Sequence, residues 1–394
     1  MYSLVWWFST PKVIFGEEAI NELDLLEGRK AMIITDPVVN ELGFPERICK
    51  ILATKRWESA IWDGAEPDPR VSVAKAAAEA MREFRPDWIV AVGGGSVMDT
   101  AKAAWILYEQ PKTELEAVTP LQPIGLRNKA RLICIPTTAG TGSDATGVIV
   151  ITEDETGRKF ATNNRELVPD IAILEPEFVK KLPKALTAYT GMDALTHAVE
   201  GYVSVWKNDF SDACSMKAIK LVFEWLPKSV GNLEDLESRE KMLIAANLAG
   251  MSFSNSQVAL AHSLGHCMGS VHRMQHGMAV GMALPYTIEY NCTASPEAAM
   301  YYSELAALVG IKIKNHVKAS MAFAQKIRDL MTEIGAPQSF KKAGIKKKQL
   351  KDGMEKLVKF TMMDSSITMN PRDVGSDTIE KIYNYMWTGK PIDF

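Results

Sequence analysis

The chain has 394 residues, of which 47% are hydrophobic and 24% are charged, a composition typical of an ordinary globular protein. A formal net charge of −3 gives no basic field, which excludes nucleic acid and anionic membrane surfaces as expected partners. Because single cores seldom grow beyond about 250–300 residues, the length predicts two domains.

The first predicted element is a strand over the apolar run SLVWWF at residues 3–8, which we expect to pair with a second copy of the chain. The run lacks a basic flank and a small-residue cleavage site, so we expect no signal peptide. No stretch of eighteen apolar residues occurs, so we expect no membrane span. Five scattered cysteines without CxxC spacing are typical of reduced thiols in a cytoplasmic protein.

The N-terminal half alternates β-branched runs with runs of helical periodicity. Predicted strands cover residues 30–35, 59–62, 87–92, 131–135 and 171–174, and predicted helices cover 71–84 and 96–110. Strands that alternate with helices predict a mostly parallel sheet with helices on both faces. The fold class expected for residues 1–182 is therefore a Rossmann-like α/β domain.

Three glycines and a serine, Gly93, Gly94, Gly95 and Ser96, follow one predicted strand at the start of a helix. Glycine lets a pyrophosphate approach the backbone, and a helix N-terminus offers unpaired N–H groups. The alternative is a tight turn that binds nothing. Three successive glycines are more than a turn needs, which favours phosphate binding.

A second glycine-rich segment, PTTAGTGSDATG, formally matches a dinucleotide fingerprint at Gly140, Gly142 and Ala145. The segment that follows has strand character, so the helix that the fingerprint requires is missing. We interpret the segment as a loop whose hydroxyls, on Thr137 and Thr138, suit phosphate or nicotinamide amide contacts.

Asp36 ends a predicted strand, where a carboxylate can bind a ribose diol and repel a 2′-phosphate, which favours NAD(H) over NADP(H). It precedes the glycines, whereas the ordinary Rossmann acid follows them by about 20 residues. The alternative, a turn or helix-capping aspartate before Pro37, is equally compatible with the sequence.

The character of the chain changes near residues 180–185, and residues 183–394 predict a helical domain without strands. Predicted helices lie within residues 186–204, 212–226, 238–255 and 303–335. The basic stretch at residues 340–353 predicts a solvated loop and a helix start rather than a binding tail.

Four of the six histidines fall between residues 262 and 276, at His262, His266, His272 and His276, and His197 follows Asp193 by four positions. Side chains four apart share one face of a helix. One carboxylate with three imidazoles suits Fe²⁺ or Zn²⁺ better than calcium or magnesium. An open position must remain for a substrate, so one histidine is expected to be free for proton handling. His272 and His316 are interpreted as ordinary histidines.

GGGSVMD, PTTAGTGSD, GMDALTHAVEGY and AHSLGHCMGSVHRMQHG, in this order, resemble the iron-containing (group III) alcohol dehydrogenases. The resemblance implies a dehydroquinate synthase-like fold of two domains, an α/β cofactor domain and an all-α catalytic domain, with the active site in the cleft between them. It implies metal ligands at Asp193, His197, His262 and His276, with His266 near the nicotinamide.

The resemblance also assigns cofactor and substrate positions. It places Gly94, Gly95, Ser96 and Asp99 at the pyrophosphate, Asp36 at the adenosine ribose, Thr137 and Thr138 at the nicotinamide side, Lys159 at the nicotinamide ribose, and Phe253 beside the substrate. Three positions depart from the family pattern, namely Asp144, Gln275 and Asp68. The resemblance further implies a homodimer or larger oligomer.

The function these features predict is metal-dependent, NAD-linked, reversible oxidation of a primary alcohol to an aldehyde, with Fe²⁺ favoured and Zn²⁺ as the other option. Two alternatives remain open. One is a reductase or polyol dehydrogenase of related fold that acts on a polar or acidic carbonyl compound. The other is an inactive metal- or nucleotide-binding scaffold.

Overall fold

The computed structural model describes residues 7–394. The chain divides into two compact units, Met1–Leu182 and Pro183–Phe394, here called unit 1 and unit 2. The run predicted as an N-terminal strand falls largely on residues 3–6, which lie outside the described residues. Trp7 and Phe8, the last two residues of that run, are not in a strand.

Unit 1 is built on a six-stranded sheet in the order β1-β8-β5-β4-β2-β3, and every pairing in it is parallel. Its strands are β1 (Lys12–Phe15), β2 (Lys30–Ile34), β3 (Glu58–Trp62), β4 (Trp88–Gly93), β5 (Arg131–Pro136) and β8 (Ile171–Leu174). A separate antiparallel pair consists of β6 (Val148–Thr152) and β7 (Lys159–Asn163). The parallel α/β prediction is confirmed, and β1 and β7 are strands that the prediction lacked.

Helices cover both faces of this sheet. They are α1 (Pro37–Glu41), α2 (Phe44–Thr54), α3 (Val71–Phe84) and α4 (Gly95–Glu109). Successive strand residues point to opposite faces. Met32 of β2 accordingly belongs to the core cluster that contains Met81 of α3 and Trp105 of α4, whereas its neighbour Ile33 belongs to the cluster that contains Leu52 of α2.

Unit 2 is helical, with no strand anywhere in residues 183–394, as predicted. Its helices are α5 (Lys184–Val203), α6 (Asp209–Gly231), α7 (Leu236–Ser254), α8 (Leu260–His272), α9 (His276–Ala294), α10 (Pro296–Leu308), α11 (His316–Glu333), α12 (Lys347–Met363) and α13 (Ser376–Thr388). The run predicted at 303–335 is two helices rather than one. The chain leaves α10 at Gly310, whose φ of 92° is a left-handed conformation that favours glycine.

Within residues 7–394, no helix is both long enough and apolar enough to cross a membrane. All five cysteines are free thiols.

Candidate functional site

Three helices of unit 2 bring Asp193, His197, His262 and His276 together. Asp193 and His197 lie on α5, His262 lies on α8, and His276 is the first residue of α9. One potential ligand atom from each residue lies within 4.8 Å of the others. Oδ1 of Asp193 is 3.2 Å from Nε2 of His276 and 3.8 Å from Nδ1 of His197. We call these four residues the Asp–His cluster.

Glycines allow the helices that carry the cluster to approach closely. A Cβ atom on Gly277 would lie 2.2 Å from the carbonyl oxygen of Tyr189, and one on Gly281 would lie 2.8 Å from Cβ of Met192. Both positions are on α9 and face α5. Because these glycines are four apart, one face of α9 lies directly against the α5 turn that carries Asp193.

Buried atoms without hydrogen bonds show that the cluster fits a metal ion. Nδ1 of His197 and Nε2 of His262 have no hydrogen-bond partner among residues 7–394. Buried polar atoms are ordinarily paired, so these two unpaired nitrogens fit the role of ligands for a cation. Burial lowers the pKa of His197 to about 3 and holds the pKa of His262 well below its ordinary value. Both rings are therefore neutral at neutral pH, as metal ligation requires.

Asp193 completes the donor set as a carboxylate. Its burial opposes ionisation, but the adjacent rings of His197, His276 and His262 outweigh burial and lower its pKa below the ordinary range. One carboxylate oxygen and three imidazole nitrogens form a mixed O/N donor set that suits a divalent transition metal.

The buried carboxylate of Glu200, on α5, orients His262. Glu200 lies 2.6 Å from Nδ1 of His262 and accepts backbone N–H groups of Ala259 at 3.0 Å and Ala261 at 2.5 Å. It therefore also caps the first turn of α8. Burial raises the pKa of Glu200 to about 7, against the effect of these N–H donors. With Nδ1 engaged, Nε2 is the nitrogen left for a metal.

Phe253 and His266 border the cluster. The Phe253 ring stacks on His197, with centroids 4.2 Å apart and planes 13° apart. The His266 ring is 5.4 Å from that of His276, centroid to centroid. His266 and His276 are the more exposed members, with 33% and 40% of their side chains accessible. The cluster is therefore accessible to solvent on their side.

His266 has a partner far away in sequence. Its Nδ1 lies 2.8 Å from Oδ2 of Asp364, the residue that follows α12. Burial opposes ionisation of Asp364, but the His266 ring and the N–H of Ser366 outweigh it and lower the pKa. The sequence interpretation lacked both Asp364 and Glu200. Glu200 could have been suspected from its position three residues after His197, whereas nothing local identifies Asp364.

The other two histidines lie outside the cluster. His272 packs edge-on against Phe340, with ring centroids 5.8 Å apart, and Nδ1 of His316 is 2.7 Å from the Ser303 hydroxyl.

In unit 1 the glycine turn (residues 93–96) and the threonine loop (residues 136–147) lie side by side at the carboxyl ends of β4 and β5. The N–H of Thr137 donates to the Gly93 carbonyl at 3.0 Å. A Cβ on Gly94 would lie 3.4 Å from Cγ2 of Thr138. Gly94 precedes α4 and Gly95 is its first residue. Gly94, Gly95 and Ser96 are all half-buried. The first N–H of this helix that has a helical acceptor is that of Val97, which donates to the Gly94 carbonyl at 3.1 Å. The two N–H groups before it, on Gly95 and Ser96, are in the position at which helix N-termini bind phosphate in other proteins.

Asp99 lies one turn into α4 and links this helix to the threonine loop and to β6. Its carboxylate accepts the Ser143 hydroxyl at 3.1 Å and the Val150 N–H at 3.0 Å. Lys102, fully buried on the same helix face, donates to the carbonyls of Ser143 at 2.6 Å and Thr146 at 2.7 Å. A phosphate contact for Asp99 stays a prediction.

Asp36 follows β2, the strand beside β4, and its Oδ1 accepts the Val39 N–H at 2.8 Å. It is thus the helix cap of α1, the alternative that the sequence left open, and a ribose contact stays a prediction. Lys159, which the resemblance places at the nicotinamide ribose, forms an ion pair with Asp68, one of the three positions that depart from the family pattern. Asp68 has a φ of 54°, a left-handed conformation that aspartate tolerates better than most residues.

Two family models match the chain in succession. Residues 10–176 match iron-containing alcohol dehydrogenase, and residues 187–387 match the C-terminal part of the Fe-containing alcohol dehydrogenase family.

The chain is also similar to individual proteins. It is 34% identical to an NADPH-dependent butanol dehydrogenase of Clostridium saccharobutylicum, over 98% of this chain and 99% of that protein. It is 31% identical to an NAD-dependent methanol dehydrogenase of Bacillus methanolicus, over 93% and 95%. Aldehyde-alcohol dehydrogenases of Entamoeba histolytica and Streptococcus pneumoniae are longer, and this chain spans 46% of their length.

The fold is also similar to that of a solved structure. A 1,3-propanediol oxidoreductase superimposes with a TM-score of 0.89 and 31% sequence identity, over 98% of this chain and 100% of that one. With matching models across both units and relatives above 30% identity over almost the full chain, this protein belongs to the iron-containing alcohol dehydrogenase family.

Proposed function

We propose that the protein catalyses reversible hydride transfer between a primary alcohol and a nicotinamide cofactor. The observation that carries the proposal is the Asp–His cluster, which offers one carboxylate and three imidazoles to a single ion. Fe²⁺ is the proposed ion, and Zn²⁺ is the other ion that this donor set suits. When bound, such an ion acts as a Lewis acid that stabilises negative charge on the substrate oxygen.

The chain's own residues have three tasks in this proposal. Gly94, Gly95 and Ser96 hold the pyrophosphate at the start of α4. Phe253 presents an apolar ring beside the cluster, which favours an apolar alcohol or aldehyde. His266 takes up the hydroxyl proton during oxidation and returns a proton to the carbonyl oxygen during reduction.

NAD(H) is the proposed cofactor, in preference to NADP(H). Support comes from the Asp36 carboxylate at the end of β2, the strand beside the one that leads to the glycine turn. A carboxylate there binds a ribose diol and repels a 2′-phosphate. The relatives include both types, since the butanol dehydrogenase is NADPH-dependent and the methanol dehydrogenase is NAD-dependent.

The test is an assay of the protein loaded with Fe²⁺ or Zn²⁺, in which NADH and NADPH are oxidised in turn with a panel of apolar aldehydes. We expect turnover with NADH and weaker turnover with NADPH. Asp36→Asn keeps the oxygen that caps α1 but removes the charge, so it should improve NADPH use without loss of stability. Absence of turnover across the panel with either cofactor and either metal would discard the proposal.

We also propose a cytoplasmic homodimer or larger homo-oligomer. The free cysteines fit a reducing compartment, and β1 is an edge strand of the sheet. Light scattering at several concentrations measures the oligomer size directly.

A further inference from the structure

A carboxylate outside the family motifs quoted above contacts the proposed proton carrier. Oδ2 of Asp364 lies 2.8 Å from Nδ1 of His266, a normal distance for a charge-assisted hydrogen bond. Asp364 is 98 positions further along the chain, at the junction between α12 and the short 3-10 turn Ser365–Met369.

Asp364 is itself held in place by two other groups. Its Oδ1 accepts the Ser366 N–H at 2.9 Å and the Ser263 hydroxyl at 3.2 Å. Only 17% of its side chain is accessible to solvent. Ser263 and His266 are three apart on α8, so the carboxylate spans one face of that helix. A side chain fixed at both oxygens in this way can orient its partner.

From this geometry we infer that Asp364 is a positioning residue for His266 in the proposed alcohol oxidation. The inference rests on the proposed function. With Nδ1–H donated to the carboxylate, the neutral ring carries its lone pair at Nε2. Asp364 thus selects one tautomer and one ring orientation, and leaves Nε2 to exchange the proton with substrate or water.

Alcohol oxidation removes one hydride and one proton from the substrate. In oxidation the carbinol carbon gives a hydride to the nicotinamide, and the hydroxyl proton goes to Nε2 of His266. The alcohol is oxidised and NAD⁺ is reduced to NADH. In reduction the hydride returns from NADH and His266 returns the proton to the oxygen. Asp364 remains a carboxylate throughout and accepts the Nδ1–H bond in both directions.

A double-mutant cycle tests the inference. Asp364→Ala, His266→Ala and the double variant are compared with wild type for kcat, KM and metal content. We expect Asp364→Ala to lower kcat about 10-fold to 100-fold, within the contribution of a general acid–base group. In the His266→Ala background the same change should lower kcat no further, because Asp364 acts only through His266.

The conservative variant Asp364→Asn retains an oxygen that can accept Nδ1–H and should recover part of the lost kcat. Metal content should equal that of wild type in every variant, since all four ligands of the Asp–His cluster remain. If the effects of the two alanine substitutions multiply, Asp364 has a structural role alone and the inference is wrong. Wild-type kcat in Asp364→Ala would overturn it equally.

The cycle separates this inference from the proposed function. An inactive wild-type protein with metal bound would refute alcohol oxidation itself. An active wild type whose kcat does not depend on Asp364 would refute only the positioning role.

Discussion

The two units present their polar groups in different ways. In unit 2, side chains from three helices meet at one buried point. The members of the Asp–His cluster on α5 and α8 are almost fully buried. Unit 1 instead presents backbone groups at the ends of strands, at the glycine turn and the adjacent threonine loop. One arrangement suits a compact cation and the other suits an extended phosphate.

This difference predicts different sensitivities to substitution. A metal site made of side chains loses affinity for its ion when one ligand is removed, even if the backbone is unchanged. A phosphate site made of backbone N–H groups loses affinity when an added side chain occupies the space of the phosphate.

The largest effect is expected for His276→Ala, which removes one of the four proposed ligands. A Lewis acid supplies several kcal/mol of charge stabilisation, so kcat/KM should fall about 1000-fold or more. Metal content is measured in the same sample and should fall with it. His316→Ala is the matched control, because that ring bonds to Ser303 away from the cluster. Activity in metal-loaded His276→Ala near that of the control would contradict the assignment.

In unit 1, Gly94→Ala adds one methyl group to the turn before α4. That methyl meets Thr138 at 3.4 Å, an ordinary contact, so the fold should be retained. A cofactor phosphate displaced by about 1 Å should cost about 100-fold in kcat/KM for NADH. Gly231→Ala, with no neighbour within 4 Å of the added atom, is the control. Equal NADH kinetics in both variants would exclude the turn as the phosphate site.

Glu200→Gln tests whether the carboxylate behind His262 tunes the cluster. Loss of such a partner typically weakens metal affinity about 10-fold to 100-fold. Competition with a chelator measures the affinity without any assay of activity. Glu297→Gln, at an exposed carboxylate that accepts the Tyr301 hydroxyl, should leave it unchanged. A wild-type metal affinity in Glu200→Gln would show that the 2.6 Å contact does not tune the ion.

The smallest effect concerns stability and pH. The folded protein lowers the pKa of Asp364, so the unfolded chain binds the proton more readily. The resulting stabilisation is present above the unfolded pKa of about 3.9 and is lost as pH falls through the lower folded value. Asp364→Asn should therefore reduce the free energy of unfolding by on the order of 1 kcal/mol at neutral pH. The free energies of unfolding of the two proteins, measured by urea titration, should converge as the pH falls. A difference that grows in acid would contradict the expected direction of the pH dependence.

The sequence predicted the units' secondary structure well where periodicity was strong. The helix predicted at 71–84 coincides with α3, and the strand at 171–174 coincides with β8. The secondary-structure prediction was less accurate where the periodic pattern was short or interrupted. β1 has four residues, and Gly310 divides a helical run that looked continuous.

For the candidate site, the order of residues along the chain specifies which residue types are available and which of them share a helix face. The i, i+4 spacing of Asp193 and His197 fixes their common direction on any helix. Their role as metal ligands, with His262 and His276, stays a prediction that the geometry supports.

The side chains that support those residues depend on how the helices pack together. Asp364 reaches His266 because α12 packs on α8, and Glu200 reaches the start of α8 because α5 lies beside it. Local periodicity encodes which face of a helix is buried, but the partner that it meets depends on how distant helices pack. That is why the sequence shows which residues are four apart on a helix, but not that Glu200 contacts His262 or that Asp364 contacts His266.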